Sequence, residues 1–109
     1  MNYVISGKVI HGDGYGKKLG FPTVNLETHN EHIPQEGIYS GNAILDNKKY
    51  RAAIIIGPAQ KVEGHLVGYI GDAYGKEVAL ELIKFLRPYQ KFDTEEELIA
   101  QIKKDINQC

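Results

Sequence analysis

The chain has 109 residues, a length that suits one domain, and we expect a single domain over residues 1–109. Apolar residues make up 42% of the sequence and charged residues 25%, which is the balance of an ordinary globular protein. Thirteen basic and fourteen acidic residues give a net charge of −1, which argues against a nucleic-acid-binding surface, and the lone Cys109 excludes a disulfide framework or a cysteine zinc site.

The sequence also argues against a membrane protein. No stretch approaches the roughly 18 consecutive apolar residues of a membrane-spanning helix. Residues 1–8 lack the apolar block of a signal peptide. We therefore expect a cytoplasmic protein with no membrane partner.

Alternating apolar and polar residues between glycine-rich turns predict a mainly β domain. The last predicted strand also fits a helical period through Val78, Leu82 and Leu86. Its bounding residues, Gly75 and Pro88, favour the strand. In chain order, the predicted strands lie at residues 4–10, 21–26, 37–45, 50–56, 62–70 and 78–83.

One helix is predicted at the C-terminal end. Thr94 and Glu97 have the spacing of a capping box. Leu98, Ile102 and Ile106 then fall on one helical stripe. Six strands and one helix without βαβ alternation predict a small antiparallel barrel closed by the helix, because closure removes unpaired strand edges.

A loop with four glycines spans residues 11–20. It matches neither the Walker A pattern nor the dinucleotide-binding fingerprint, and a predicted strand follows it where both motifs need a helix. Its glycines would let backbone N–H groups approach phosphate oxygens, with Lys17 and Lys18 adding positive charge. The alternative is a flexible hairpin end with solvated lysines.

Thr23 and Asn25 follow this loop on the strand predicted at 21–26. Residues two positions apart on a strand point to the same face. A hydroxyl oxygen and an amide oxygen are hard ligands of the kind that Mg²⁺ accepts beside phosphate. Alternatively, both are surface residues hydrogen-bonded to water.

Three further side chains are candidates for chemistry or binding. Glu63, with His65 two residues on and on the same face, could accept a proton from an attacking hydroxyl, or it could simply face solvent. Arg87 could hold an anion or pair with a glutamate. Phe92 could stack on a planar ligand or pack in the core.

Taken together, these motifs resemble the riboflavin kinase (flavokinase) family. The most specific stretch is Gly-Phe-Pro-Thr-Val-Asn at 20–25. The resemblance runs through nearly the whole chain, in segments 7–14, 19–25, 37–39, 62–66, 71–75, 85–88 and 91–92, followed by the C-terminal helix.

The resemblance implies a six-stranded antiparallel Greek-key barrel with a C-terminal α-helix. It also implies transfer of the γ-phosphoryl group of ATP to the ribityl 5′-hydroxyl of riboflavin, giving FMN with the help of Mg²⁺. Glu63 would be the catalytic base, Thr23 and Asn25 would hold the metal, and Arg87 and Phe92 would lie near the flavin. The implied nucleotide-binding residues are Gly12, Gly14, Lys17, Lys18, Thr23, Asn25, Tyr74 and Gly75.

Two other functions remain open at this point. Residues 57–62 lack the longer loop that many family members place before the glutamate, which would suit a non-catalytic flavin- or nucleotide-binding barrel. A purely structural barrel adaptor explains Thr23 and Asn25 poorly. We expect a monomer that binds riboflavin and ATP. We do not expect it to make the flavin dinucleotide, because the adenylyltransferase module fused to many bacterial members lies outside these 109 residues.

Overall fold

The structure, a computed structural model, describes residues 3–12 and 15–109. The described strands are β1 (Tyr3–Ile10), β2 (Val24–Thr28), β3 (Gly37–Leu45), β4 (Lys48–Ile56), β5 (Val62–Leu66) and β6 (Glu77–Arg87). The helical segments are α1 (Tyr15–Lys18), a 3₁₀ turn (Pro58–Gln60) and α2 (Glu95–Asn107).

The six strands close into an antiparallel barrel in the order β1-β2-β5-β4-β3-β6. The consecutive strands β3, β4 and β5 lie side by side. Strand β6 then returns to pair with the edge of β3 that faces away from β4. This arrangement is a Greek key. The predicted fold, a mainly β six-stranded antiparallel barrel with a C-terminal helix, is confirmed.

Strand β5 shows how alternation divides the barrel into an inside and an outside. Val62, Gly64 and Leu66 are buried and face the core, whereas Glu63 and His65 point outward and are partly exposed. The core combines such inward residues from all six strands. Polar side chains at alternate positions are therefore presented on the outer surface.

Of the six predicted strands, β3 alone has the predicted bounds, and β1 and β4 begin one and two residues earlier than predicted. β2 begins at Val24 instead of residue 21, because Pro22 has no N–H to donate to a ladder. β5 ends at Leu66 instead of residue 70, because the chain turns there, with the Tyr69 N–H donating to the Leu66 carbonyl at 3.3 Å and Gly68 at φ +83°. The loop predicted at 11–20 contains the short helix α1.

The segment 78–83, whose sequence fitted both a strand and a helical period, lies in strand β6. β6 pairs with β1 on one side and β3 on the other, and these two ladders carry it beyond the predicted 78–83. The predicted helix is also present. Thr94 caps it, with its Oγ1 accepting a hydrogen bond from the Glu97 N–H at 3.2 Å. In the described part of the chain, no helix combines the length and apolar character that crossing a membrane requires.

Candidate functional site

Two cavities adjoin on the outside of the barrel, and Thr23 lines both. The first has a volume of 520 Å³ and lies between the outer face of the barrel and α2. The second has a volume of 610 Å³ and lies between the start of β2 and the segment 69–74. Both are of the size that small-molecule sites occupy.

Thr23 and Glu63 meet at the junction of the two cavities. Thr23 Oγ1 donates a hydrogen bond of 3.2 Å to Glu63 Oε1. Asn25 lies directly opposite Glu63 in the β2–β5 ladder, so their side chains share the outer face. The strand register brings Asn25 next to Glu63, and the hydrogen bond brings Thr23 to the same carboxylate, although Thr23 precedes β2 instead of lying within it.

Asn25 is almost completely covered, with 9% of its surface exposed. Its Oδ1 is buried and has no hydrogen-bond partner among the described residues. Gly12 lies so close to it that a Cβ there would collide with the Asn25 amide. A buried carbonyl oxygen without a partner costs folding free energy, and a hard oxygen of this kind, in a residue that lines the second cavity together with Thr23, fits a divalent cation such as Mg²⁺.

Besides Thr23 and Asn25, three predicted nucleotide-binding residues line the second cavity: Gly12, Lys17 and Tyr74. The Tyr74 ring stacks on His11, with ring centroids 3.8 Å apart and planes 15° from parallel. This side of the site therefore combines a close backbone approach, a cation and an aromatic surface.

The remaining predicted nucleotide-binding residues are Lys18, Gly75 and Gly14. Lys18 is exposed and, like Gly75, is not among the described residues that line the second cavity. Gly75 forms a turn at φ +82° and donates its N–H to the Val9 carbonyl at 2.9 Å. Gly14 lies outside the described residues.

The two predicted flavin-binding residues, Arg87 and Phe92, line the first cavity. Arg87 is held by α2: its Nε and Nη2 donate to the two carboxylate oxygens of Asp105 at 3.0 and 2.8 Å. Its guanidinium carbon lies 5.8 Å from the centre of the Phe92 ring. The partner of Arg87 is thus an aspartate, where the sequence suggested an anion or a glutamate.

Sequence reasoning missed Asp105, which is 4% exposed. A signal for it is present in the helix pattern. Asp105 stands three residues after Ile102 and beside Ile106, on the apolar stripe of α2. A carboxylate on an apolar face requires a charged or hydrogen-bonding partner, so this position indicates an ion pair between α2 and the barrel.

The chain resembles known proteins over nearly all of its length. A family model described as riboflavin kinase (flavokinase) matches residues 1–109. The bifunctional riboflavin kinase/FMN adenylyltransferase of Bacillus subtilis (strain 168) is 35% identical over 114 residues, covering 94% of this chain and 36% of that protein. Its counterpart from Escherichia coli (strain K12) is 32% identical over 111 residues with the same coverage. The chain spans about a third of the length of these relatives.

Two crystal structures share the fold. Riboflavin kinase from Trypanosoma brucei aligns with a TM-score of 0.76 and 23% identity, over 97% of this chain and 76% of that one. A macrolide-efflux protein from Streptococcus pneumoniae aligns with a TM-score of 0.92 and 27% identity, over 97% of this chain and 38% of that one. The barrel with its C-terminal helix is thus an arrangement that longer chains also contain.

Proposed function

The chain belongs to the riboflavin kinase family, and from this premise we propose that it phosphorylates riboflavin with ATP, giving FMN and ADP. One observation carries the proposal. The hydrogen bond between Thr23 and Glu63 stands at the junction of two cavities, so groups bound in one can meet groups bound in the other. Phosphoryl transfer needs such a junction, because it depends mainly on positioning and charge neutralisation.

The second cavity is assigned to ATP. The backbone at Gly12 can approach phosphate oxygens closely, and Lys17 brings a positive charge to the same wall. The stacked rings of His11 and Tyr74 offer a planar surface to the base. The proposal also includes three residues that are close in sequence to residues lining this cavity: Gly14, Lys18 and Gly75.

The first cavity is assigned to riboflavin. Its lining is rich in apolar and aromatic side chains, which suit a planar tricyclic ring. Phe92 lies on this wall, and Arg87 fixes α2 beside it. The ribityl chain would then reach toward Glu63, which lines the same cavity at the end next to Thr23.

Glu63 is assigned the role of base. Its carboxylate accepts the proton of the ribityl 5′-hydroxyl while the hydroxyl oxygen bonds to the γ-phosphorus. The bond from that phosphorus to the oxygen bridging it to the β-phosphate breaks, and ADP leaves. The Thr23 hydroxyl, donating to Oε1, orients the carboxylate for this proton transfer.

Thr23 Oγ1 and Asn25 Oδ1 are the atoms assigned to Mg²⁺. When bound, the metal neutralises charge on the transferred phosphoryl group and on the departing ADP. Asn25 suits this role because its oxygen is already desolvated and lacks a partner among the described residues. Thr23 suits it because a hydroxyl that donates to Glu63 retains lone pairs.

The test is a product assay with the 109-residue chain, riboflavin, ATP and MgCl₂, analysed by chromatography with fluorescence detection. We expect FMN to accumulate in proportion to ADP, and to be absent when EDTA or a non-hydrolysable ATP analogue is used. Binding of both ligands without FMN would instead establish a non-catalytic flavin- or nucleotide-binding barrel. If the protein binds neither ligand, the alternative that it is a purely structural barrel adaptor would be favoured.

A further inference from the structure

His65 makes a contact that the proposed function does not use. It points outward from β5 two residues after Glu63, so the imidazole and the carboxylate lie along the same face. Its Nδ1 lies 2.8 Å from the carbonyl oxygen of Pro22. A carbonyl oxygen can only accept a hydrogen bond, so this contact is a hydrogen bond when Nδ1 carries the proton.

The partner of this bond is the peptide unit that leads into Thr23. The first residue of β2 in the ladder with β5 is Val24, which pairs with Gly64, so the Pro22–Thr23 peptide lies outside the strand ladder. The carbonyl of Pro22 and the N–H of Thr23 belong to one planar unit. Holding that oxygen therefore fixes the orientation in which the chain reaches the Thr23 Cα.

A second contact supports the same segment. The His65 ring meets the Phe21 ring edge to face, with centroids 6.1 Å apart and planes at 73°. His65 thus touches both residues that precede Thr23. Both Thr23 and His65 line the first cavity, so this support lies at the site itself.

We propose that His65 is a positioning residue: its Nδ1–H holds the Pro22 carbonyl and thereby places the Thr23 hydroxyl against Glu63. The inference rests on the proposed function for its catalytic consequence. Some residues orient a metal ligand or a base without touching the substrate, and mutating them commonly lowers activity by about 10–100-fold. The effect is expected mainly in kcat, because the two side chains assigned to the flavin, Arg87 and Phe92, stay in place.

The experiment compares two amide replacements of His65. In His65→Asn the side-chain nitrogen occupies the place of Nδ1 and can still donate to Pro22, whereas in His65→Gln it lies at the place of Nε2. We expect His65→Gln to lower kcat about 10–100-fold with little change in KM for riboflavin. His65→Asn should keep most of the wild-type kcat. His32→Gln, in the exposed loop 29–36, is the matched control and should behave as wild type.

The hydrogen bond has a readout that needs no activity. Nitrogen-15 spectra of the wild-type imidazole at alkaline pH, where imidazole groups are neutral, show which ring nitrogen carries the proton. We expect the Nδ1–H tautomer. The Nε2–H tautomer would overturn the proposal, as would equal kcat for His65→Asn and His65→Gln when thermal unfolding shows both to be folded. If wild type makes no FMN, the proposed function fails, while the tautomer still decides whether the Pro22 bond exists.

Discussion

The first cavity has two walls that are built in different ways. The barrel wall is formed by Glu63 and His65 of β5, whose backbone is held by ladder hydrogen bonds, and by Thr23, which immediately precedes β2. The helix wall, formed by Phe92, Leu98, Ile102 and Asp105, is fastened to the barrel by the ion pair with Arg87. One wall is fixed largely by a repeating backbone pattern. The other is held by side-chain contacts, among them the ion pair of Arg87 with Asp105 and the hydrogen bond of 2.6 Å from Arg51 Nη1 to the Cys109 carbonyl.

The ion pair between Arg87 and Asp105 is largely withdrawn from water. The side chains of Arg87 and Asp105 are 18% and 6% exposed, and Gln101 Nε2 adds a hydrogen bond of 3.1 Å to the same carboxylate. Charges in such surroundings are costly when one partner is removed. The difference between the walls predicts that changes in the barrel wall affect turnover, whereas changes in the helix wall affect stability and the capture of riboflavin.

The largest effect is expected from Glu63→Gln in the barrel wall. The amide keeps the size and the acceptor for Thr23 but cannot take a proton, so kcat should fall about 10²–10⁴-fold. ATP affinity and thermal unfolding should stay close to wild type. Steady-state kinetics and calorimetry measure these quantities. Glu27→Gln, an exposed position on β2, is the control, and an equal loss of turnover there would remove Glu63 from its role.

Asn25→Leu tests the buried oxygen next to the barrel wall. FMN formation should fall about 10²–10³-fold, as when one preorganised electrostatic group is lost. The unliganded protein should be at least as stable as wild type, because an unpaired buried carbonyl oxygen costs about 1–3 kcal/mol.

Thermal unfolding with and without Mg²⁺ and ATP gives the decisive comparison for this variant. The stabilisation by the metal-nucleotide complex should disappear in Asn25→Leu and persist in the control Asn42→Leu on β3. Undiminished stabilisation in Asn25→Leu would contradict the assignment of Oδ1 to the metal.

Asp105→Leu tests the helix wall. It leaves the Arg87 charge without its partner, which costs about 3–5 kcal/mol for a buried pair. Denaturant unfolding should show this loss, and KM for riboflavin should rise more than kcat falls. In the matched double variant Arg87→Met with Asp105→Leu, stability should largely return, because no charge is left unpaired. A large loss of kcat with unchanged stability would erase the distinction between the walls.

The smallest effect is expected at the start of the helix wall. Thr94→Ala removes the oxygen that accepts from the Glu97 N–H and should cost about 1 kcal/mol of unfolding free energy. Thr94→Ser keeps this acceptor and should match wild type in the same denaturant titration. Because Thr94 also lines the first cavity, KM for riboflavin should rise slightly in the alanine variant only.

The sequence alone was sufficient for the architecture where local signals were strong. The alternation in 37–45 predicted β3 with the bounds Gly37–Leu45 that the structure shows, and Thr94 predicted the start of α2. These elements are set by neighbouring residues in the chain. The sequence also placed Thr23, Asn25 and Glu63 among the candidates, because their residue types and motif carry recognisable chemistry.

Other features depended on residues that are distant in sequence. The segment 78–83 fitted two periods, and pairing with β1 and β3 made it a strand. The close approach of Gly12 to Asn25 depends on the chain folding back over β2, which no local pattern encodes.

What the sequence by itself determined is a mainly β barrel with a closing helix and a set of oxygen-bearing side chains suited to phosphate and metal. What only the tertiary structure decided is their partners: Thr23 with Glu63, His65 with Pro22, and Arg87 with Asp105. Periodicity and capping report local conformational preference. A hydrogen bond across 40 residues of chain depends on barrel closure and strand register, which are properties of the whole fold.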